Sequence, residues 1–422
     1  MKLNKKKKFI NNKFLHTAVI STFFTFLSKI FTVLSTILIF RLLSISEAGY
    51  YFYLLSIFSM LASVVQFGHG YALIDYFSNK EIKKYSEILL YRFVSSLVVF
   101  AVAVTFVLID HKEVDLIFAS LIIFLSIFAS SITFDSWMRA KKMYFKITLN
   151  TFLASLFACI ILFSIILLNL NFSRIILASL VFFISTLQLN IYSLFYSEAR
   201  KLLIDSLKYI TSNIQKVHKF LYSSIISNLK FSFLSFTITF YMSADLIFLK
   251  HLVGMDALGF FAGFFRIIFI FVAFQSINDY IFYSFIKRNK VTIYQGLFSP
   301  IIFGLCGFVI LNFFPQYLSL IIFDLTSDIA INIMKSGSLL PLIILLAFYQ
   351  NTLLNLKVKK LKFLNLIFIV VSILIILIGF TLLKNYEILN MEKILNFIYL
   401  KWIIINITYF LAQIFTLKNK SL

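Results

Sequence analysis

Residues 37–53 read ILIFRLLSISEAGYYFY, and residues 247–263 read IFLKHLVGMDALGFFAG. In each, an apolar run ends in a short polar turn, and a glycine followed by two aromatic residues opens the next run. Leu42 matches Leu252 and Gly49 matches Gly259, an offset of 210 residues that is almost half of the 422-residue chain. A turn, a helix-start glycine and a halfway offset recurring together predict a duplicated unit. The two copies then carry the same number of helices in the same orientation, as in parallel repeats about an axis along the membrane normal.

Composition identifies the solvent of those helices. Hydrophobic residues make up 61% of the chain and charged residues 13%, with 54 Phe, three Pro and a mean hydropathy of +0.97. A water-soluble domain has no core large enough for that apolar content, whereas twelve spans of roughly 21 residues absorb it. Apolar stretches predict helices at 17–40, 48–74, 89–109, 115–138, 148–169 and 175–196, then at 221–249, 258–286, 292–314, 331–356, 363–383 and 394–417. The expected fold is therefore all-α and polytopic, with about twelve transmembrane helices in two six-helix bundles related by a parallel repeat. The expected organisation is an N-terminal bundle over 1–196, a basic cytoplasmic linker over 197–220 and a C-terminal bundle over 221–422. Lys335, Gly337 and Pro341 interrupt the tenth span and predict a kink there.

A net charge of +22 suggests nucleic-acid binding in a soluble chain, but here its placement matters first. Of the 39 Lys and Arg, 28 fall in the N-terminus, the tail and every second loop, six fall in the opposite loops and five fall inside spans. Positive residues mark the cytoplasmic side, so both termini are expected in the cytoplasm, with no nucleic-acid role. Lys5–Lys8 precede a run too long for a cleaved signal and predict an uncleaved first span. Cys159 and Cys306 both lie in apolar runs, which argues against a disulfide framework or a cysteine metal site. With short loops and no Walker, zinc or nucleophile-elbow motif, the chain reads as a non-enzyme that needs no metal or cofactor.

Thr22, Thr25, Lys29, Thr32 and Thr36 share one face of the first helix. The second carries Ser56, Ser59, Ser63, Gln66 and Gly70, and the seventh carries Ser224, Asn228, Ser232, Ser235, Thr239 and Ser243. Such stripes either line a lumen or pack helices together. Of the five cations in spans, Lys335 and Lys401 lie near helix ends and are expected to snorkel. Lys29, Arg266 and Lys230 lie deeper and predict a positively charged lumen for an anionic substrate. Asp245 is a possible ion-pair partner of Arg266 and, with His69, a possible coupling group.

The basic N-terminus, Arg41-Leu42-Leu43, the turn, Gly49-Tyr50-Tyr51, Gly68-x-Gly70 and the segment from Asp245 through Gly254 to Gly259-Phe260-Phe261 together resemble the polysaccharide flippases. These are the Wzx-type O-antigen translocases of the multidrug/oligosaccharidyl-lipid/polysaccharide exporter superfamily. The resemblance implies translocation of undecaprenyl-pyrophosphate-linked oligosaccharide repeat units from the cytoplasmic to the periplasmic leaflet by alternating access, serving O-antigen or capsule synthesis. It implies a bacterial inner-membrane location, with lipid-linked oligosaccharide, membrane lipids and other polysaccharide-assembly proteins as partners. It also implies a cationic lumen with a lateral opening near the first and eighth spans, where Lys29 and Arg266 lie. The alternative is an ion-coupled small-molecule exporter of the same superfamily, which would bind organic cations through buried carboxylates. A glycan polymerase or ligase would need a larger exterior loop. A major-facilitator carrier would need a different loop at Asn79–Lys84.

Overall fold

The computed structural model describes residues 2–67, 73, 82–110, 113–131, 135–141, 143–169, 172–286, 293–355, 371, 373, 375, 379 and 391–418. In some of its helices, including 227–238 and 273–286, the backbone alone is described. The fold is all-α. The first half holds α1 (Lys2–Leu42), α2 (Ile45–Gln66), α3 (Ile82–Asp110), α4 (Val114–Ser131), the short α5 (Asp135–Ala140), α6 (Tyr144–Leu168) and α7 (Arg174–Ile191). A connecting helix α8 (Ser197–Ser212) leads to α9 (Val217–Lys250), α10 (Met255–Ile286), α11 (Ile293–Phe313), α12 (Pro315–Phe323), α13 (Asp328–Ser336), α14 (Leu340–Asn355) and α15 (Met391–Lys418).

Among the described residues, seven helices are long and apolar enough to cross a membrane, and nine spans result if two bent pairs each count as one. These nine coincide with nine of the twelve expected spans. The expected fourth is the shorter apolar α4, the seventh lies within α9, and 363–383 falls almost wholly outside the described residues. The break between α13 and α14 bends the tenth span by 47°, in the Lys335–Pro341 segment where the sequence interrupts it. The ninth span departs from expectation. It continues past residue 314 as α12, which turns by 85° from α11. Pro315 at the first helical position explains the restart, because proline there sacrifices only an orphan N–H.

The outer helices carry continuous exposed apolar stripes. On α6, Leu153, Phe157, Ile160, Phe163 and Leu167 recur at three- and four-residue spacing, and on α15 so do Leu400, Ile403, Ile407, Phe410 and Ile414. Stripes of this extent meet lipid rather than water, and the chain is a multi-pass membrane protein. By contrast α2 is buried over Ala48–Ile57, and α10 is buried through Leu258–Phe265. A helix apolar on all sides belongs at the centre.

These two central helices meet at their first turns, at the end of the molecule opposite the start of α1, called the distal end below. A Cβ added to Gly49 would stand 2.7 Å from the Gly259 nitrogen and 2.9 Å from the Met255 carbonyl. One added to Gly259 would collide with the Ile45 carbonyl oxygen. Repeat-equivalent positions touch each other when they lie beside the axis relating the copies, so the contact places that axis between α2 and α10. The turn before α2 is closed by a capping box: the Glu47 carboxylate accepts from the Ser44 N–H at 2.8 Å, and the Glu47 N–H donates to the Ser44 hydroxyl at 3.2 Å.

Two seams flank the axis. On one side α2 packs along α9, with the Lys250 ammonium 4.5 Å from the Tyr53 ring centroid. On the other, α1 and α10 are joined mainly at the distal end. There Phe323 of α12 wedges between Phe40 and Phe260, ring centroids 5.0 Å from each, and also packs on Gly263. Arg41 forms an ion pair with Asp324 and donates to the carbonyls of Leu320 and Ile321 at 3.2 and 3.3 Å, capping the last turn of α12. The expected linker 197–220 is largely helical: α8 buries Ala199 and Ser206 and exposes Ile204 and Leu207 beside Arg200, Lys201 and Lys208.

Candidate functional site

Proximal to the Phe323 wedge, the α1–α10 seam parts into a cavity of about 280 Å³. Lys29, Thr32 and Thr36 line it from α1, Gly263 and Arg266 from α10, and Ile322 of α12 closes its distal end. Helical periodicity builds the α1 wall, because residues three and four apart share a face. The Thr32 hydroxyl donates to the Ser28 carbonyl at 2.8 Å and that of Thr36 to the Thr32 carbonyl at 3.0 Å. On the neighbouring face of α1, Phe26, Ile30 and Leu34 are exposed apolar side chains, so the cavity lies beside the lipid-facing surface.

Arg266 is half-buried, and its guanidinium carbon lies 4.6 Å from the Phe52 ring centroid of α2. That cation–π contact holds the planar group without neutralising it. Lys29 likewise has no carboxylate among the residues lining the cavity. The structure thus brings together two of the deep cations, Lys29 and Arg266. Lys230 belongs to α9, and its side chain lies outside the described residues; His69 lies outside them altogether.

Asp245 pairs with a different residue from the one expected. Its carboxylate contacts the Lys401 ammonium at 2.5 Å, and Lys401 also donates to the Tyr241 carbonyl at 3.0 Å. Both side chains are only 4% exposed. Lys401 therefore does not snorkel: it is neutralised across 156 residues of sequence, a pairing that local spacing cannot reveal. The stripe on α2 also resolves toward packing, because Ser56 and Ser63 are buried and bond back to the carbonyls of Phe52 and Met60. Removing half of a buried pair leaves an uncompensated charge at a cost of about 3–5 kcal/mol. Asp245→Ala should accordingly lower the thermal midpoint in detergent markedly, and the Asp245→Leu/Lys401→Met double variant should recover most of the loss. Equal loss in both variants would show that packing, not charge pairing, sets the effect.

Among the 51-to-59 and 261-to-269 stretches, the offset of 210 aligns Arg266 with Ser56, and on α1 and α9 it aligns Lys29 with Thr239. Both cavity cations thus have hydroxyl counterparts in the other copy.

Comparison with solved structures matches this arrangement of helices to known proteins over nearly its whole length. An inward-facing multidrug resistance MATE family transporter of the MOP superfamily aligns with a TM-score of 0.66 at 11% identity, covering 96% of this chain and 99% of its own. The fold is that of the MATE transporters. An outward-facing MATE structure gives 0.61 at 13% identity, covering 96% of each chain. A MOP superfamily transporter from Pyrococcus furiosus, for which a reversed polarity of the binding pocket is described as suggesting a different function, gives 0.57 at 12% identity over 95% of each chain. No protein-family model and no curated protein matches the sequence. The cavity described above lies between α1 and α10, the first and eighth of the twelve expected spans.

Proposed function

We propose that the protein is a flippase for lipid-linked oligosaccharides, carrying undecaprenyl-pyrophosphate-linked repeat units from the cytoplasmic to the periplasmic leaflet of a bacterial inner membrane. The observation that carries the reading is the cavity between α1 and α10, lined by Lys29 and Arg266 and by no carboxylate. A pyrophosphate headgroup cannot cross about 30 Å of hydrocarbon unaided, and a polar cationic cleft lowers that barrier. The position of the cleft beside the lipid-facing surface of α1 allows the polyprenyl tail to stay in the bilayer. Arg266 supplies a planar, bidentate phosphate contact and Lys29 a point charge.

In this reading the two six-helix halves rock about the axis contact at Gly49 and Gly259, with 197–220 as their connection. The closed distal end and open proximal cavity then correspond to the cytoplasm-facing state, with both termini cytoplasmic. Substrate, membrane lipids and the neighbouring polysaccharide-assembly proteins are the partners. No bond is made or broken, so the role is transport rather than catalysis. The second reading, an ion-coupled small-molecule exporter, is favoured by the multidrug transporters that share the fold. It predicts a pocket suited to organic cations, and the positive lining repels them.

Deletion of the gene should leave lipid-linked repeat units in the cytoplasmic leaflet and remove the surface glycan, and the intact gene should restore it. Surface glycan that persists in the deletion strain, together with new sensitivity to cationic drugs, would replace the flippase by the exporter.

A further inference from the structure

A second cavity, of about 170 Å³, opens at the distal end between α1, α6 and α7, and two arginines line it, Arg41 and Arg174. The chain has seven Arg among its 39 cations, and this face holds six cations in its loops by the sequence count. Two guanidinium groups converging on one pocket at a charge-poor end therefore stand out. Asn169, at the left-handed C-cap of α6, completes the polar lining. The two arginines are held differently. Arg41 is committed to Asp324 and to the end of α12, whereas Arg174 makes one long bond of 3.5 Å to the Leu42 carbonyl. The side chain of Asp324 is 67% exposed, and an exposed ion pair contributes little to stability. A phosphate offers each guanidinium a bidentate partner, so it can displace the carboxylate at little cost.

We infer that Arg41 and Arg174 form a distal phosphate-binding site whose occupant competes with Asp324 and so loosens the contact between α1 and α12. The inference rests on the flippase reading for the source of the phosphate, and on the pocket alone for the site. An arriving headgroup would weaken the distal closure that confines it. The chemistry fits the phosphate of a lipid-linked diphosphate or of an ordinary exterior phospholipid equally.

The test uses the purified full-length protein in a phosphate-free maltoside detergent, with thermal midpoint as the readout. It is titrated with inorganic pyrophosphate, a short-chain polyprenyl diphosphate and phosphatidylglycerol. Saturable stabilisation is expected, with affinity about tenfold lower in Arg174→Gln and about threefold or more higher in Asp324→Asn. A component of binding should survive in the Lys29→Ala/Arg266→Ala variant, which separates this site from the central cavity. Preference for the polyprenyl diphosphate assigns the site to substrate, and equal response to phosphatidylglycerol assigns it to the bulk headgroup; both support the inference. Unchanged affinity for all three probes in Arg174→Gln and Asp324→Asn overturns it, whatever the export assay shows.

Discussion

For the proposed flippase, Arg266→Ala should abolish glycan export while leaving the protein in the membrane at normal abundance. The guanidinium is held over Phe52 by its π-face and is not neutralised within the cavity, so its removal takes nothing from an ion pair and leaves no orphaned charge. Truncating a buried, charge-assisted contact to a ligand costs about 2–5 kcal/mol, which corresponds to at least a thirtyfold loss of transport. Arg266→Lys keeps the charge and loses the fork, so it should retain a measurable fraction of activity. Lys29→Ala should be milder, because a point charge is a less specific phosphate contact than a planar pair of donors. Export is read as surface glycan per unit of membrane-inserted protein. Full export by Arg266→Ala at normal abundance would assign the arginine to helix packing and remove the central support for the flippase.

The second large effect concerns the distal closure. Gly259→Leu places a side chain against the Ile45 carbonyl, and Gly49→Leu places one against the Gly259 backbone. Neither obstacle is the end of a flexible side chain, so relief requires α2 and α10 to separate. Overpacking of this kind costs about 1–3 kcal/mol, and an energy difference of that size changes a two-state equilibrium by about 5–150-fold. Either variant should therefore shift the protein toward a distal-open form. The measurement is the labelling rate of a cysteine introduced at Phe40 by a membrane-impermeant maleimide. The rate should rise at least fivefold over the same cysteine in a background with both glycines intact. An unchanged rate in a stably inserted variant would mean that this end does not open by parting α2 from α10.

Much of this was legible in the sequence because membrane helices announce themselves through long apolar runs, and because a duplicated chain repeats its turn. The matched glycines Gly49 and Gly259 were visible as an alignment, and the structure adds their contact. Lys29 and Arg266 were visible as cations too deep to reach water. The Ser44–Glu47 capping box and the helix restart at Pro315 were not among the expectations, although a serine three residues before a glutamate and a proline opening a helix are local signals for both. The Asp245–Lys401 pair was not legible, since two helices far apart in sequence supply it and each residue alone looks like an ordinary membrane charge. The wedge of Phe323 was hidden for another reason: among 54 phenylalanines, nothing local marks the one that closes a cavity.

The unequal seams have an evolutionary consequence. A transporter assembled from two identical copies of either half would carry two identical clefts, each with the same charge. Joining the halves in one chain lets one cleft keep Lys29 and Arg266 while the other fills its equivalent positions with Thr239 and Ser56. For the proposed flippase, a long-tailed lipid needs one doorway, and a second would leak. On this view, carrying both halves in one chain allows the protein to have a front and a back.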